Sequence, residues 1–182
     1  MEYYTFNLCG LRRKLPLVLL GPKLKIASLN LLGDAELVNL VAQEMVERIK
    51  YFDFDFLVGA EVKILPLIYE MSRILGQKRY VICRKKILGY MVQPLRVGGR
   101  EGMILDGPDV ELIKKKKIVI VNDVVSTGGA VKIIKEMAKK VEAEVAAVVA
   151  IIKQGDLQLA IKEPFLYLTT LPVFRKQQKT KN

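Results

Sequence analysis

The 182-residue chain contains no histidine and no tryptophan, and its only cysteines are Cys9 and Cys83. Without imidazole, nucleophile–histidine triads and histidine metal clusters are excluded as its chemistry. The two thiols show no CxxC spacing and read as ordinary reduced cysteines, not as a disulfide framework or a zinc site. Long apolar runs are missing as well. None reaches the roughly 18 residues that a membrane-spanning helix needs. The first residues, with Glu2 early and Arg12, Arg13 and Lys14 late, lack the order of a signal peptide. The expectation is a cytoplasmic address and no membrane partner. Acidic residues are also few: 19 Asp and Glu against 30 Lys and Arg leave a net charge of +11. The resulting positive potential attracts anions, which admits nucleic acid, acidic lipid and phosphorylated small molecules alike. The densest cationic run, 114–117, stands directly before an apolar strand and reads as a solvated strand start rather than a nucleic-acid patch.

What remains is a folding composition. A hydrophobic share of 51% with 27% charged residues supplies the apolar material that offsets ordering entropy, and the length suits one domain with at most a small appendage. Period-two alternation at 3–8 predicts a half-buried strand, with further strands at 15–20 and 24–30. Asp34 offers an N-cap to a helix over 35–50, whose Leu37, Val41, Met45 and Ile49 form one stripe. From there the chain alternates: strand 54–59, helix 65–75 with Pro66 in its first turn, strands 79–84 and 117–121, helix 129–141, strand 144–152. Strands that are apolar nearly throughout, such as IVIV and VAAVVAII, belong to a parallel sheet covered on both faces, so the fold class is α/β, doubly wound. Between Lys85 and Lys117 a glycine-rich excursion interrupts the pattern, with weak strand candidates at 103–105 and 110–113; excursions of that length are usually functional or disordered. One more short strand is expected between Pro164 and Phe174. The expected division is N-terminal strands 1–33, core 34–155, a C-terminal segment 156–175 and a disordered basic tail 176–182.

The stretch 119–132, VIVNDVVSTGGAVK, carries the chemistry. Ligands of open parallel sheets bind beyond the carboxyl ends of the strands, where Asn122 and Asp123 are placed to hydrogen-bond vicinal hydroxyls of a sugar. Ser126, Thr127, Gly128, Gly129 and Ala130 then supply hydroxyls and a glycine pair that let backbone N–H groups converge on an anion, backed by the positive end of the next helix. Neither a GxxxxGK[ST] loop nor a GxGxxG fingerprint is present.

This stretch resembles the signature of type I phosphoribosyltransferases: apolar residues, two acids, two apolar residues, then a T-G-G-T or T-G-G-S loop. It departs in having Asn122 for the first acid and Ala130 without the usual hydroxyl. The resemblance implies that Asn122 and Asp123 bind the ribose of phosphoribosyl pyrophosphate and that Ser126 through Ala130 bind its 5'-phosphate. It further implies a pyrophosphate loop at Ala60, Glu61 and Lys63. Arg84 and Lys85, in an Arg-Lys-Lys run similar to that of adenine phosphoribosyltransferases, would add charge on the diphosphate. A mobile loop over 89–102 would close over the reaction centre. The catalytic set implied is Asp123, Lys63, Arg84 and Glu101, the last as candidate general acid. Mg2+ would ride on the substrate without a direct protein metal site. The N-terminal strands with the C-terminal segment would form a hood over the base. A neutral Ser126, where hypoxanthine-guanine enzymes carry an acid, points to adenine as the first-choice base of a purine acceptor, and the expected assembly is a homodimer. The alternative is a non-catalytic sensor of phosphoribosyl pyrophosphate or a nucleotide, under which nucleic acid is a partner.

Overall fold

The computed structural model describes residues 1–21, 24–155 and 161–175, with the backbone alone at Glu101 and Arg175. The tail expected to be disordered, 176–182, and the first residues of the expected C-terminal segment, 156–160, lie outside the described residues.

Five strands form the central sheet in the order β10 (Phe165–Leu171), β9 (Glu144–Gln154), β8 (Lys117–Val125), β4 (Phe56–Ala60) and β5 (Val81–Cys83), every neighbouring pair parallel. The nearly uninterrupted apolar runs of β8 and β9 are explained by cover on both faces. On one face, α1 (Ala35–Ile49) and α2 (Leu65–Ile74) pack with Leu57, Val119, Val121 and Val149; on the other, α4 (Gly129–Lys140) packs with Val58, Ile118, Ile120 and Val148. The predicted stripe of α1 is buried as a unit, with Val41, Met45 and Ile49 fully enclosed. Each such side chain contributes about 1.5–3 kcal/mol of burial free energy. Cys83 is fully buried at the end of β5, and burial pushes its thiol up to about 12, so it stays protonated and inert.

A second, antiparallel sheet is formed by β1 (Tyr3–Leu8), β2 (Leu11–Leu19), β3 (Leu24–Ala27) and β11 (Val173–Arg175). Its inner side chains Phe6, Leu8 and Leu15 join the core on the α1/α2 face. An ionic latch holds it there. The Arg13 guanidinium donates to both Asp34 carboxylate oxygens at 2.7 and 3.0 Å and to Glu36 at 2.7 Å, while Asp34 caps α1 by accepting from the Leu37 N–H at 3.1 Å. The C-terminal segment divides between the sheets where one strand was expected: β10 extends the parallel core beside β9, and after Pro172 β11 crosses to β3.

The excursion is more regular than expected. A hairpin of β6 (Leu95–Val97) and β7 (Met103–Leu105) spans it, and paired 2.7 Å backbone bonds join Arg84 to Ile104 beside the core sheet. Residues 110–113, a strand candidate on composition, belong to the helix α3 (Gly107–Ile113). Asp106 caps it and Pro108 opens its first turn, a start signal that outweighs the β-propensity of four residues. The run 114–117 is solvated as expected: Lys115, Lys116 and Lys117 reach Glu142, Asp55 and Asp53 at 3.7, 3.9 and 2.8 Å.

Candidate active site

The site lies at the carboxyl ends of β4, β5 and β8. Strand β8 runs past the expected end at Val121, through Asn122 and Asp123, to Val125, because β9 keeps pairing with it as far as Val125↔Lys153. On its other side the β4 pairing stops at Gly59↔Val121. Asn122 and Asp123 are therefore held by the sheet along one edge and open along the other. Asn122 is only 7% exposed as a residue, and its amide has no hydrogen-bond partner among the described residues. The amide is not sealed in the core; Asn122 lines two adjoining cavities, where a ligand or water can reach it. Asp123 turns one oxygen back to the Val124 N–H at 2.8 Å and leaves the second for something else.

Beyond β8 the chain turns through Ser126 and Thr127 into Gly128, whose φ of +75° caps α4. A β-carbon is disfavoured there. The N–H groups of the first turn of α4 have no intrahelical acceptor, and they face a small cavity of about 100 Å³ lined by Asn122 and residues 124–131. That is an anion seat in size and polarity.

It adjoins a larger cavity of about 700 Å³, which brings Asn122, Asp123, Gly129 and Ala130 together with Ala60, Glu61, Lys63 and Lys85. The loop 60–64 reaches this point because Gly59 lets the backbone approach: a β-carbon there would stand 3.2 Å from both the Val121 carbonyl and Ile64. The Glu61–Val62 peptide is cis. Glu61 accepts from the Lys85 N–H at 2.8 Å and from the Arg84 guanidinium at 3.3 Å. Arg84 is thus not part of the lining; it braces the loop through Glu61. Lys63 lines the cavity while its ammonium donates to the Leu29 carbonyl at 2.9 Å, so it also ties the loop to the segment before α1. Of these two cavities, Ser126, Thr127 and Gly128 line the small one and not the larger. Glu101 lies in the short 3-10 turn Gly99–Glu101, its side chain outside what is described.

Sequence reasoning missed Arg100, Met103 and Ile133 in the lining of the larger cavity. Arg100 rides on a turn that glycine alone permits. Gly98, at φ +91°, is pressed against Ile133 of α4, and a β-carbon on Gly102 would fall 2.2 Å from the Val97 carbonyl. The spacing Gly-Gly-Arg-Glu-Gly was the available signal. Among the described residues no group of three or more Cys, Asp or Glu side chains is placed to hold a metal ion.

The fold and site thus combine a parallel α/β sheet with first-turn helix amides, an adjoining polar strand edge and lining cations. A family model for the phosphoribosyl transferase domain matches residues 33–178, and the chain belongs to that family. It is similar to the hypoxanthine/guanine phosphoribosyltransferase of Methanotorris igneus, 30% identical over 134 residues that cover 71% of this chain and 70% of the relative. It is also similar to the orotate phosphoribosyltransferase of Caldanaerobacter subterraneus subsp. tengcongensis, 26% identical over 134 residues, covering 74% of this chain but 63% of that protein. In fold it resembles the adenine phosphoribosyltransferase of Thermoanaerobacter pseudethanolicus, with a TM-score of 0.72 at 17% identity over 86% of this chain and 95% of the other. That of Rhodothermus marinus gives 0.66 at 21% identity, over 93% and 94%.

Proposed function

We propose that the chain transfers the phosphoribosyl group of phosphoribosyl pyrophosphate to a ring nitrogen of a nucleobase, releasing pyrophosphate. The observation that carries this is the single cavity that gathers the open edge of Asn122 and Asp123, the first-turn amides at Gly129 and the cations Lys63 and Lys85, all from the ends of the neighbouring strands β8, β4 and β5. A ribose bearing a phosphate at one end and a diphosphate at the other calls for that set of groups. In this reading Asn122 and Asp123 hold the ribose hydroxyls, residues 126–130 hold the 5'-phosphate, and Ala60, Glu61, Lys63 and Lys85 form the diphosphate wall, with Arg84 bracing it. The bond from the anomeric carbon to the diphosphate oxygen breaks as the carbon–nitrogen bond forms, the diphosphate leaves with the bonding electron pair, and the base gives up its ring N–H proton to solvent. The protein contributes positioning and charge stabilisation to an oxocarbenium-like transition state. Mg2+ carried on the substrate's oxygens would supply further charge neutralisation, and the unengaged Asp123 oxygen suits one of its waters. Glu101 is the acid offered by the excursion.

Adenine is the first base to test, because Ser126 places a neutral hydroxyl where an acid would favour a 6-oxopurine. The assembly in this reading is a cytoplasmic homodimer, which light scattering on the purified protein checks. The deciding experiment is a panel of adenine, hypoxanthine, guanine, xanthine and orotate with phosphoribosyl pyrophosphate and Mg2+, followed by chromatography of the 5'-monophosphates. At least one product is expected. No product from any base, together with salt-sensitive DNA binding that phosphoribosyl pyrophosphate releases, would overturn catalysis in favour of a sensor, the reading to which the neutral Asn122 lends weight.

A further inference from the structure

The charges lining the larger cavity are unevenly matched. Its cations are Lys63, Lys85 and Arg100, and its carboxylates are Glu61 and Asp123. Glu61 already takes the Arg84 guanidinium and the Lys85 N–H, which leaves Asp123 as the one carboxylate without a cationic partner in this wall. Arg100 and Lys85 are both exposed, and neither side chain has a carboxylate partner among the described residues. At Asn122, the position that would carry a second acid in the sugar clamp, an amide supplies hydrogen-bonding capacity with no charge. An acid there would leave two carboxylates without cationic partners facing a polyanionic substrate, and a bound divalent cation would then be the natural means of relieving the repulsion. With Asn122 that repulsion is halved, and the guanidinium of Arg100 adds a fork suited to two diphosphate oxygens.

We propose that Arg100, together with Lys85 and Lys63, clamps the diphosphate group directly, and that Asn122 makes binding of the phosphosugar diphosphate largely independent of a divalent cation. This rests on the reading of the cavity as a phosphoribosyl pyrophosphate site. Arg100 is presented for the purpose by the glycine-built turn, since Gly98 and Gly102 seat the turn against Val97 and Ile133 with no room for a β-carbon. Divalent-cation dependence then resides in turnover, not in occupancy.

The test is isothermal titration of the full chain with phosphoribosyl pyrophosphate and, separately, inorganic pyrophosphate, each in excess EDTA and in excess Mg2+. For the wild type the two phosphoribosyl pyrophosphate affinities are expected to agree within about threefold. Arg100→Ala is expected to weaken metal-free binding of both ligands by about tenfold or more, with Arg100→Lys recovering part of the loss and the melting temperature unchanged in both. Asn122→Asp is expected to confer Mg2+ dependence, weakening metal-free binding while sparing binding in Mg2+. Wild-type binding that requires Mg2+, or metal-free binding indifferent to Arg100→Ala, would overturn the proposal and leave the enzymatic reading standing. Failure to bind in either condition would overturn both.

Discussion

On one wall of the cavity Asn122 and Asp123 project from a strand locked into the middle of a five-stranded sheet, beside a cradle made of backbone. On the opposite wall Lys85 and Arg100 are exposed side chains carried by turns. The first wall is carried by paired sheet strand and has one carboxylate; the second carries exposed cations on irregular backbone. Under the proposed function, sugar hydroxyls and a terminal phosphate have fixed geometry and suit short side chains and amides on regular elements, whereas a leaving diphosphate suits long cations.

Substitutions that exchange the two characters break the contrast most. Asp123→Ala removes the one carboxylate of the sugar wall, and turnover is expected to fall by about a hundredfold or more while inorganic phosphate still protects the cradle in thermal-shift assays. Activity equal to wild type would remove Asp123 from the sugar clamp. Gly128→Ala forces a β-carbon into a left-handed cap, a strain of about 1–2 kcal/mol that should appear as a raised KM for phosphoribosyl pyrophosphate and a lowered melting temperature. No change in KM would mean that the cap does not shape the cradle.

The latch between hood and core gives a smaller, pH-dependent effect. Hydrogen bonding to Arg13 holds the Asp34 carboxyl below its ordinary value of 3.8. Its contribution to stability is therefore complete above that value and fades as pH falls through the depressed one. Melting temperatures measured from about pH 5 to about pH 3 should fall more steeply for wild type than for Asp34→Asn, which keeps a capping oxygen but has no charge to lose. Parallel curves would show that the latch contributes nothing. The smallest effect is expected from Lys115→Ala: its pairing with Glu142 is exposed, so melting temperature and turnover should stay at wild-type levels.

The cradle and the parallel core were legible because their signals are local. The apolar runs of β8 and β9, the i, i+4 stripe of α1 and the Ser-Thr-Gly-Gly turn each encode their conformation within a dozen residues. The excursion was not. Val110–Ile113 looked like a strand until Asp106 and Pro108 are seen capping a helix, and the β6–β7 hairpin depends on an Arg84–Ile104 bridge that no local pattern announces. Arg100 escaped notice for the same reason, since its place in the cavity follows from how Gly98 packs on Ile133, a residue 35 positions away in the chain.

By itself the sequence determined the α/β class, the solvated character of 114–117 and the glycine-capped turn into α4, because periodicity, strand composition and glycine placement act over short range. Tertiary structure alone decided how far β8 extends, since β9 continues to pair where β4 has stopped. It alone split the C-terminal segment between two sheets and set Arg84 behind Glu61 while bringing Arg100 forward. Those outcomes turn on which strand edge is left open and which charges meet across the fold, and contacts between distant residues settle both.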